Sequence, residues 1–289
     1  MRAALNWMVL AVILSGIGPV LVRDSPVDPA STAFWRMFLG LPFALLLIRR
    51  SIFLPTRAMV EVAIAGLLLA GDIICWNSSI KRTTILESTT LVMVYPVITV
   101  VASYLLFKER VGLRFVAGGG FAFVGMLLMM GSSEQRGETA LTGDLLALAA
   151  ACFYAVSLMI SSRLCRAYNP LVVSFWLIFW AAVGAAPIGL MEQRTFPDSL
   201  HGWIYIVAYA LLTLAGYSLF NRGLKVVPTS IASLMGYGQP VVAAVLGFFF
   251  LNEVPTWNAI VGGIVIVGGL VLATRPPPIV AAPKPAEAE

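Results

Sequence analysis

The sequence predicts an all-α integral membrane protein: ten transmembrane helices arranged as two inverted five-helix repeats. Three observations carry this. Hydrophobic residues make up 60% of the 289 and charged residues 11%, with a mean hydropathy of +0.92, well beyond an ordinary soluble domain. The chain repeats itself at a spacing of 144 positions: Pro96 returns as Pro240, Glu109 as Glu253, Gly118 and Gly119 as Gly262 and Gly263, Gly125 as Gly269, and Asn77 as Asn221. The cations are also unevenly placed along the connections, as they are when alternate loops face opposite sides of a bilayer.

Ten segments are long and apolar enough to cross roughly 30 Å of hydrocarbon. They run Ala4 to Val22, Thr32 to Ile48, Met59 to Ile80, Ile85 to Phe107, Leu113 to Met130, Gly143 to Ser162, Pro170 to Met191, Trp203 to Arg222, Thr229 to Leu251 and Trp257 to Thr274. The first follows Arg2 but is longer than a signal-peptide apolar region and has no clean small-x-small cleavage site, so it is read as a helix. Short links, Lys81 to Thr84 and Lys225 to Pro228, couple the third span to the fourth and the eighth to the ninth. The first repeat is expected over 1–131, an external linker over 132–142, the second repeat over 143–274, and a disordered cytoplasmic tail over 275–289, where Pro, Ala, Lys and Glu dominate. No connection is large enough for a separate soluble domain.

Charge placement accounts for the net +5 without invoking nucleic acid. With the N-terminus in the cytoplasm, the inner side collects Arg2, Arg49, Arg50, Arg57, Lys108, Arg110, Arg114, Arg163, Arg166, Arg222, Lys225, Arg275 and Lys284. The outer side receives Arg23, Lys81, Arg82, Arg136 and Arg194, of which Lys81 and Arg82 are the discordant pair. Both termini are therefore expected in the cytoplasm, with a bacterial inner membrane as the setting. The repeat tests this independently. The loop Lys108-Glu109-Arg110-Val111-Gly112-Leu113-Arg114 carries three cations, and its counterpart from Leu251 to Trp257 carries none. That contrast fits one loop on each side of the membrane.

In the fifth and tenth spans, Gly118 and Gly125, and Gly262 and Gly269, lie seven apart on one helical face, which favours backbone-to-backbone packing. In the fourth and ninth, Pro96 and Pro240 remove a backbone donor near mid-depth, so each helix should bend and leave a carbonyl free. Interruptions at matching places in two halves point to a transport site. Polar and aromatic residues gather at the same depth: Tyr95 before one proline, Tyr237 and Gln239 before the other, Asp72 with Trp76 and Asn77 in the third span, Tyr154 with Ser157, Tyr217 with Asn221, and Ser15 in the first. A ring of hydroxyls, amides and aromatic rims suits a small amphipathic solute.

Charges inside the bilayer cost on the order of 2.5–3.5 kcal/mol each. Arg36, Asp72 and Glu87 are the three candidates. One reading is a structural salt bridge from Arg36 to Glu87 or Asp72. The other is that Asp72 or Glu87 titrates and couples transport to protons, or that Arg36 meets a substrate carboxylate. Glu61, near the inner end of the third span, is expected to snorkel to the interface.

At these residues the chain resembles the drug/metabolite transporter superfamily, specifically the EamA-type carriers. Tyr95-Pro96, Lys108-Glu109 and Gly118 to Gly125 are similar to that family's proline, loop glutamate and glycine-rich helix, repeated as Gln239-Pro240, Asn252-Glu253 and Gly262 to Gly269. Phe34-Trp35-Arg36 is similar to its arginine-bearing second helix, and Phe153-Tyr154-Ala155 to the start of its second repeat. The chain departs from the pattern at Leu14-Ser15-Gly16, where many relatives place an aromatic, and at Leu177, the counterpart of Arg36. The resemblance implies both ends in the cytoplasm, a central cavity among the first, third, fourth, sixth, eighth and ninth helices, and outward movement of amino acids, other metabolites or toxic cations. Amino-acid export of the YddG type is the nearest expectation, with multidrug or lipophilic-cation export as the alternative.

Phosphorylated substrates would call for several mid-membrane cations, and Arg36 stands alone. A membrane enzyme would need a nucleophile and base or a metal cluster. The single histidine, His201, falls in an outer loop, the cysteines Cys75, Cys152 and Cys165 show no metal spacing, and a Walker A pattern is absent. No cofactor or metal is expected, and uphill transport would draw on an ion or solute gradient. A channel or scaffold is the alternative of another class.

Overall fold

A computed structural model describes residues 2–48, 51–83, 85–107, 112–130, 140–251 and 255–274. Of the linker expected over 132–142, residues 132–139 lie outside the described residues and 140–142 already belong to the helix Ala140–Ala167, while the tail from 275, the loop residues Lys108, Glu109, Arg110, Asn252 and Glu253, and Arg49, Arg50 and Arg136 also lie outside them. Every regular element among the described residues is an α-helix. The first span comprises α1 (Arg2–Gly16) and α2 (Gly18–Arg23), and the second α3 (Pro29–Phe38) and α4 (Gly40–Leu47). The third is α5 (Thr56–Ile80), the fourth α6 (Ile85–Val92) with α7 (Tyr95–Phe107), and the fifth α8 (Leu113–Met130). The second half follows as α9 (Ala140–Ala167), α10 (Pro170–Gly189), α11 (Leu200–Leu224), α12 (Thr229–Met235) with α13 (Gly238–Leu251), and α14 (Trp257–Thr274). Eight spans are long and apolar enough to cross a membrane by length and composition alone, and the fourth and fifth contribute the shorter apolar helices Glu87–Ala102 and Leu113–Met129.

Four of the ten spans are broken, each just ahead of or at the start of a proline-bearing segment. Pro19, Pro42, Pro96 and Pro240 all fall within the first three residues of the helix that follows a break. Proline offers no N–H and its ring presses on the carbonyl four residues back, so the helix restarts around it. At the two central breaks the backbone tightens to three-residue hydrogen bonds, Val94 N–H to the Leu91 carbonyl at 3.1 Å and Tyr237 N–H to that of Leu234 at 3.0 Å. Helix starts are set by ordinary chemistry: the Asn169 side chain accepts from Leu171 N–H and Ser199 from Gly202 N–H. The start of α3 is capped from the other repeat, where the Glu192 carboxylate accepts from the N–H groups of Ala30 and Ser31 at 3.2 and 2.7 Å.

The inversion is visible in the contacts themselves. A Cβ on Gly118 would lie 2.5 Å from the Gly269 carbonyl oxygen, one on Gly269 would lie 2.5 Å from that of Gly118, and one on Gly125 would lie 2.6 Å from that of Gly262. Gly118 is the repeat equivalent of Gly262, yet it meets Gly269. Equivalent helices α8 and α14 thus run antiparallel across a pseudo-twofold axis with their backbones touching, which only glycine permits. The same exchange recurs in hydrogen bonds. Trp35 Nε1 donates to the Thr195 carbonyl at 2.7 Å, and Trp176 Nε1, its counterpart, donates to the Ile52 carbonyl at 2.7 Å. Each repeat's second helix therefore fastens the loop after the other repeat's second helix, one on each side of the bundle. The packing partners swap likewise, α5 lying on α9 and α11 on α1.

Ten spans put the start of α1 and the end of α14 on one side. On that side Glu61 is paired with Arg57 at 3.2 Å and Arg163 at 3.7 Å. On the opposite side, the discordant cations are engaged locally: Lys81 donates to the Arg23 carbonyl at 2.9 Å, at the end of α2, and Arg82 to the Ser78 carbonyl at 2.9 Å. Large apolar side chains such as Leu46, Leu105 and Phe249 point outward, as a lipid-facing surface requires.

Candidate functional site: a charged cavity at mid-depth

A cavity of about 120 Å³ lies between the two repeats, lined from α1, α2, α3, α5, α6, α7, α9, α11 and α13. Helical spacing explains which side chains reach it. Asp72 and Trp76 are four apart on α5, and Tyr209, Thr213, Gly216, Tyr217 and Phe220 follow one broad face of α11. Of the residues singled out in the sequence, Ser15, Arg36, Asp72, Trp76, Tyr95, Tyr154, Tyr217 and Gln239 line this space.

Arg36 is 5% exposed. Its Nη1 donates to the Tyr209 hydroxyl, its guanidinium lies 5.0 Å from the centroid of that ring, and its Nε has no partner among the described residues. Asp72, 8% exposed, faces the same cavity, and no hydrogen bond from a described residue reaches its carboxylate. The two charges act on each other electrostatically, yet no direct ion pair joins Arg36 to Asp72 or to Glu87 among the described residues. The indole Nε1 of Trp76 is likewise unpartnered among them. Gly18 closes the wall here: a Cβ on it would sit 3.5 Å from the Tyr209 hydroxyl and 3.6 Å from the Trp76 ring. Arg36, Asp72 and Trp76 thus line one small space, with the Arg36 Nε and Trp76 Nε1 atoms buried and unpartnered among the described residues.

Tyr95 joins the two broken spans. Its hydroxyl donates to the Ser233 carbonyl of α12 at 3.1 Å, its ring meets Tyr154 edge-on at 4.6 Å, and it lies so close over Gly236 that a Cβ there would collide with the hydroxyl. On the terminus-bearing side of this contact, Ser162 and Thr229 share a hydroxyl hydrogen bond of 2.6 Å, and Arg166 Nη2 donates to Thr229 Oγ1 at 3.2 Å.

The remaining residues are not brought to the cavity. Asn77 Nδ2 donates to the Pro29 carbonyl at 2.8 Å, at the start of α3. Asn221 Nδ2 donates to Ser174 Oγ at 2.9 Å, which in turn donates to the Pro170 carbonyl at the start of α10 at 2.8 Å. The equivalent asparagines thus brace equivalent helix starts. Ser157 Oγ donates to the Ala65 carbonyl at 2.8 Å, and Glu87 accepts from Thr83 Oγ1 at 2.5 Å. Tyr237 is 1% exposed in the core, and Pro96 and Pro240 are buried behind the lining. Sequence reasoning missed Tyr209, Gly216 and Gly18. Two signals pointed to the first two: Tyr209, Thr213 and Tyr217 are spaced by four, and Gly216 stands 144 positions after Asp72.

Comparison with known proteins agrees with this architecture. The model of the EamA-like transporter family matches residues 2–131 and again 141–275, once per repeat. An uncharacterized transporter of Archaeoglobus fulgidus is 25% identical over 95% of this chain and 97% of its own length. The pseudopaline exporter CntI of Pseudomonas aeruginosa is 22% identical over 95% and 97%. A solved crystal structure of 22% sequence identity superposes with a TM-score of 0.77 over 94% of this chain and 97% of that one, a likeness of fold. With the family model matching both halves, the chain belongs to the EamA-like transporter family.

Proposed function

We propose that this transporter exports amino acids or similar small zwitterionic metabolites by alternating access, through the cavity between its repeats. The observation that carries this is that Arg36 and Asp72 face one cavity without being spent on each other. A carboxylate has a partner in the Arg36 guanidinium, and an ammonium has one in Asp72 with the rims of Tyr154 and Tyr217. At about 120 Å³ the space is below the roughly 300–1,000 Å³ of drug-sized pockets, which favours a small solute. Lipophilic-cation export is the second reading, since Asp72 beside Trp76 makes an anionic aromatic corner. The buried Arg36 weighs against it, because it repels a cation at close range.

The two bundles rock around the glycine crossing of α8 and α14, exposing the site to one side at a time. Both ends lie in the cytoplasm in this reading, which the excess of cations at the terminus-bearing side supports, and the relative named for pseudopaline export supports outward movement. Cargo ammonium and a proton compete for Asp72, which supplies a route to proton coupling.

Counterflow in proteoliposomes tests the reading: preload amino acids first and lipophilic cations second, and follow uptake of trace label. Accumulation with amino acids is expected. Accumulation with cations alone would transfer the site to drug efflux, and none with either would remove the substrate assignment.

A further inference from the structure

We infer that recognition is divided between the repeats: the first holds the charged head of the substrate, and the second, at Gly216, sets how large a side chain is accepted. This rests on the zwitterion reading above. Both cavity charges come from the first repeat, Arg36 on α3 and Asp72 on α5. Their counterparts are neutral. Asp72 corresponds to Gly216, 144 positions on, which lines the same cavity from α11. Arg36 corresponds to Leu177, which is buried in α10 away from it. The second repeat contributes neutral residues, Tyr154, Tyr209 and Gln239 beside the stretch Leu212, Thr213, Gly216, Tyr217 and Phe220, and no charged residue of that repeat lines the cavity among those described.

Gly216 is the open place in that wall. A Cβ built on it meets only Ser15 Oγ, at 3.6 Å, an ordinary contact. Alanine therefore fits without moving the backbone, and anything larger projects into the cavity. In a space of about 120 Å³, below the roughly 300–1,000 Å³ of drug-sized pockets, a side chain added at Gly216 takes room that a substrate side chain would otherwise use. The glycines of the α8 and α14 crossing differ in kind, because there an added Cβ strikes backbone. At Gly216 the missing side chain is replaced by room, opposite the charges that orient the head.

The test is counterflow with glycine, alanine, leucine and phenylalanine as preloaded substrates, in the wild type, Gly216→Ala, Gly216→Val and Leu212→Ala. Gly216→Ala should lower leucine and phenylalanine on the order of 10-fold relative to glycine, Gly216→Val should extend the loss to alanine, and Leu212→Ala should shift the ranking toward phenylalanine. Retained glycine counterflow shows that each variant is folded. An unchanged ranking in Gly216→Ala and Leu212→Ala, or a parallel loss of all four substrates in both, overturns the division while wild-type amino-acid counterflow keeps the substrate reading in place. Absence of counterflow with every amino acid in the wild type overturns both. Moving the acid across the axis, Asp72→Gly with Gly216→Asp, is expected not to restore leucine counterflow, and restoration would show that either wall can hold the head.

Discussion

In the first repeat Asn77 bonds the Pro29 carbonyl directly, and in the second Asn221 reaches the Pro170 carbonyl through Ser174. Trp35 and Trp176 make the same reciprocal fastening at 2.7 Å, and the glycines of α8 and α14 meet in matched pairs. The cavity obeys no such symmetry, since Arg36 and Asp72 have the neutral counterparts Leu177 and Gly216. In the alternating-access mechanism proposed above, the scaffold keeps the repeat because its two states would need related contacts on opposite sides. The site abandons it because a second acid or a second guanidinium in so small a space would repel the first.

The largest effect should come from breaking the symmetric scaffold. Gly125→Leu or Gly269→Leu drives a side chain into the facing backbone, with an expected loss of at least about 3 kcal/mol or of the folded carrier altogether. Gly120→Leu, where a Cβ meets nothing within 4 Å, should be tolerated. Thermal unfolding in detergent would separate the two, and equal stability of all three variants would show that the close crossing is not needed.

Next come the asymmetric charges. Arg36→Gln and Asp72→Asn should each lower counterflow on the order of 100-fold while leaving thermal stability within about 1 kcal/mol of the wild type. In the wild type a fall in pH neutralises Asp72 and weakens cargo binding, whereas Asp72→Asn should show weak transport with that dependence removed. A wild-type pH profile in Asp72→Asn would take Asp72 out of any coupling role.

A smaller and more local effect is expected at the bridge between broken helices. Tyr95→Phe removes the hydrogen bond to Ser233 at a cost of about 1 kcal/mol, while Gly236→Ala, which collides with the Tyr95 hydroxyl, should cost more and slow interconversion. The order of the two variants in unfolding and in exchange rate is the check.

The smallest effect sharpens the comparison of the fastenings. Asn77→Ala and Asn221→Ala should each cost about 1 kcal/mol of stability without altering the ranking of substrates. A changed ranking in Asn221→Ala alone would bring that residue into the site from which the structure separates it.

Much of the fold was legible in the sequence because its rules are local. Twenty apolar residues span a bilayer wherever they occur, and proline disturbs a helix locally, although Pro187 sits inside the unbroken α10 and the breaks at Pro19 and Pro42 went unread while those near Pro96 and Pro240 were foreseen as bends. The 144-residue spacing, joined to an odd number of spans per half, implied inversion before any contact was known. The depth of Ser15, Asp72, Tyr95, Tyr154, Tyr217 and Gln239 followed from counting along each span.

Only the tertiary structure decided which polar side chains face the cavity. Asn77, Ser157 and Asn221 stand at the same depths as the lining residues, yet each donates to an oxygen of a neighbouring helix within 2.9 Å. Tyr209 became part of the site because Arg36 turned to it rather than to Asp72 or Glu87. In a bundle where lipid offers no hydrogen bonds, a polar group takes whichever partner the packing brings within reach. That choice depends on distances between helices, which no periodicity along a single helix encodes.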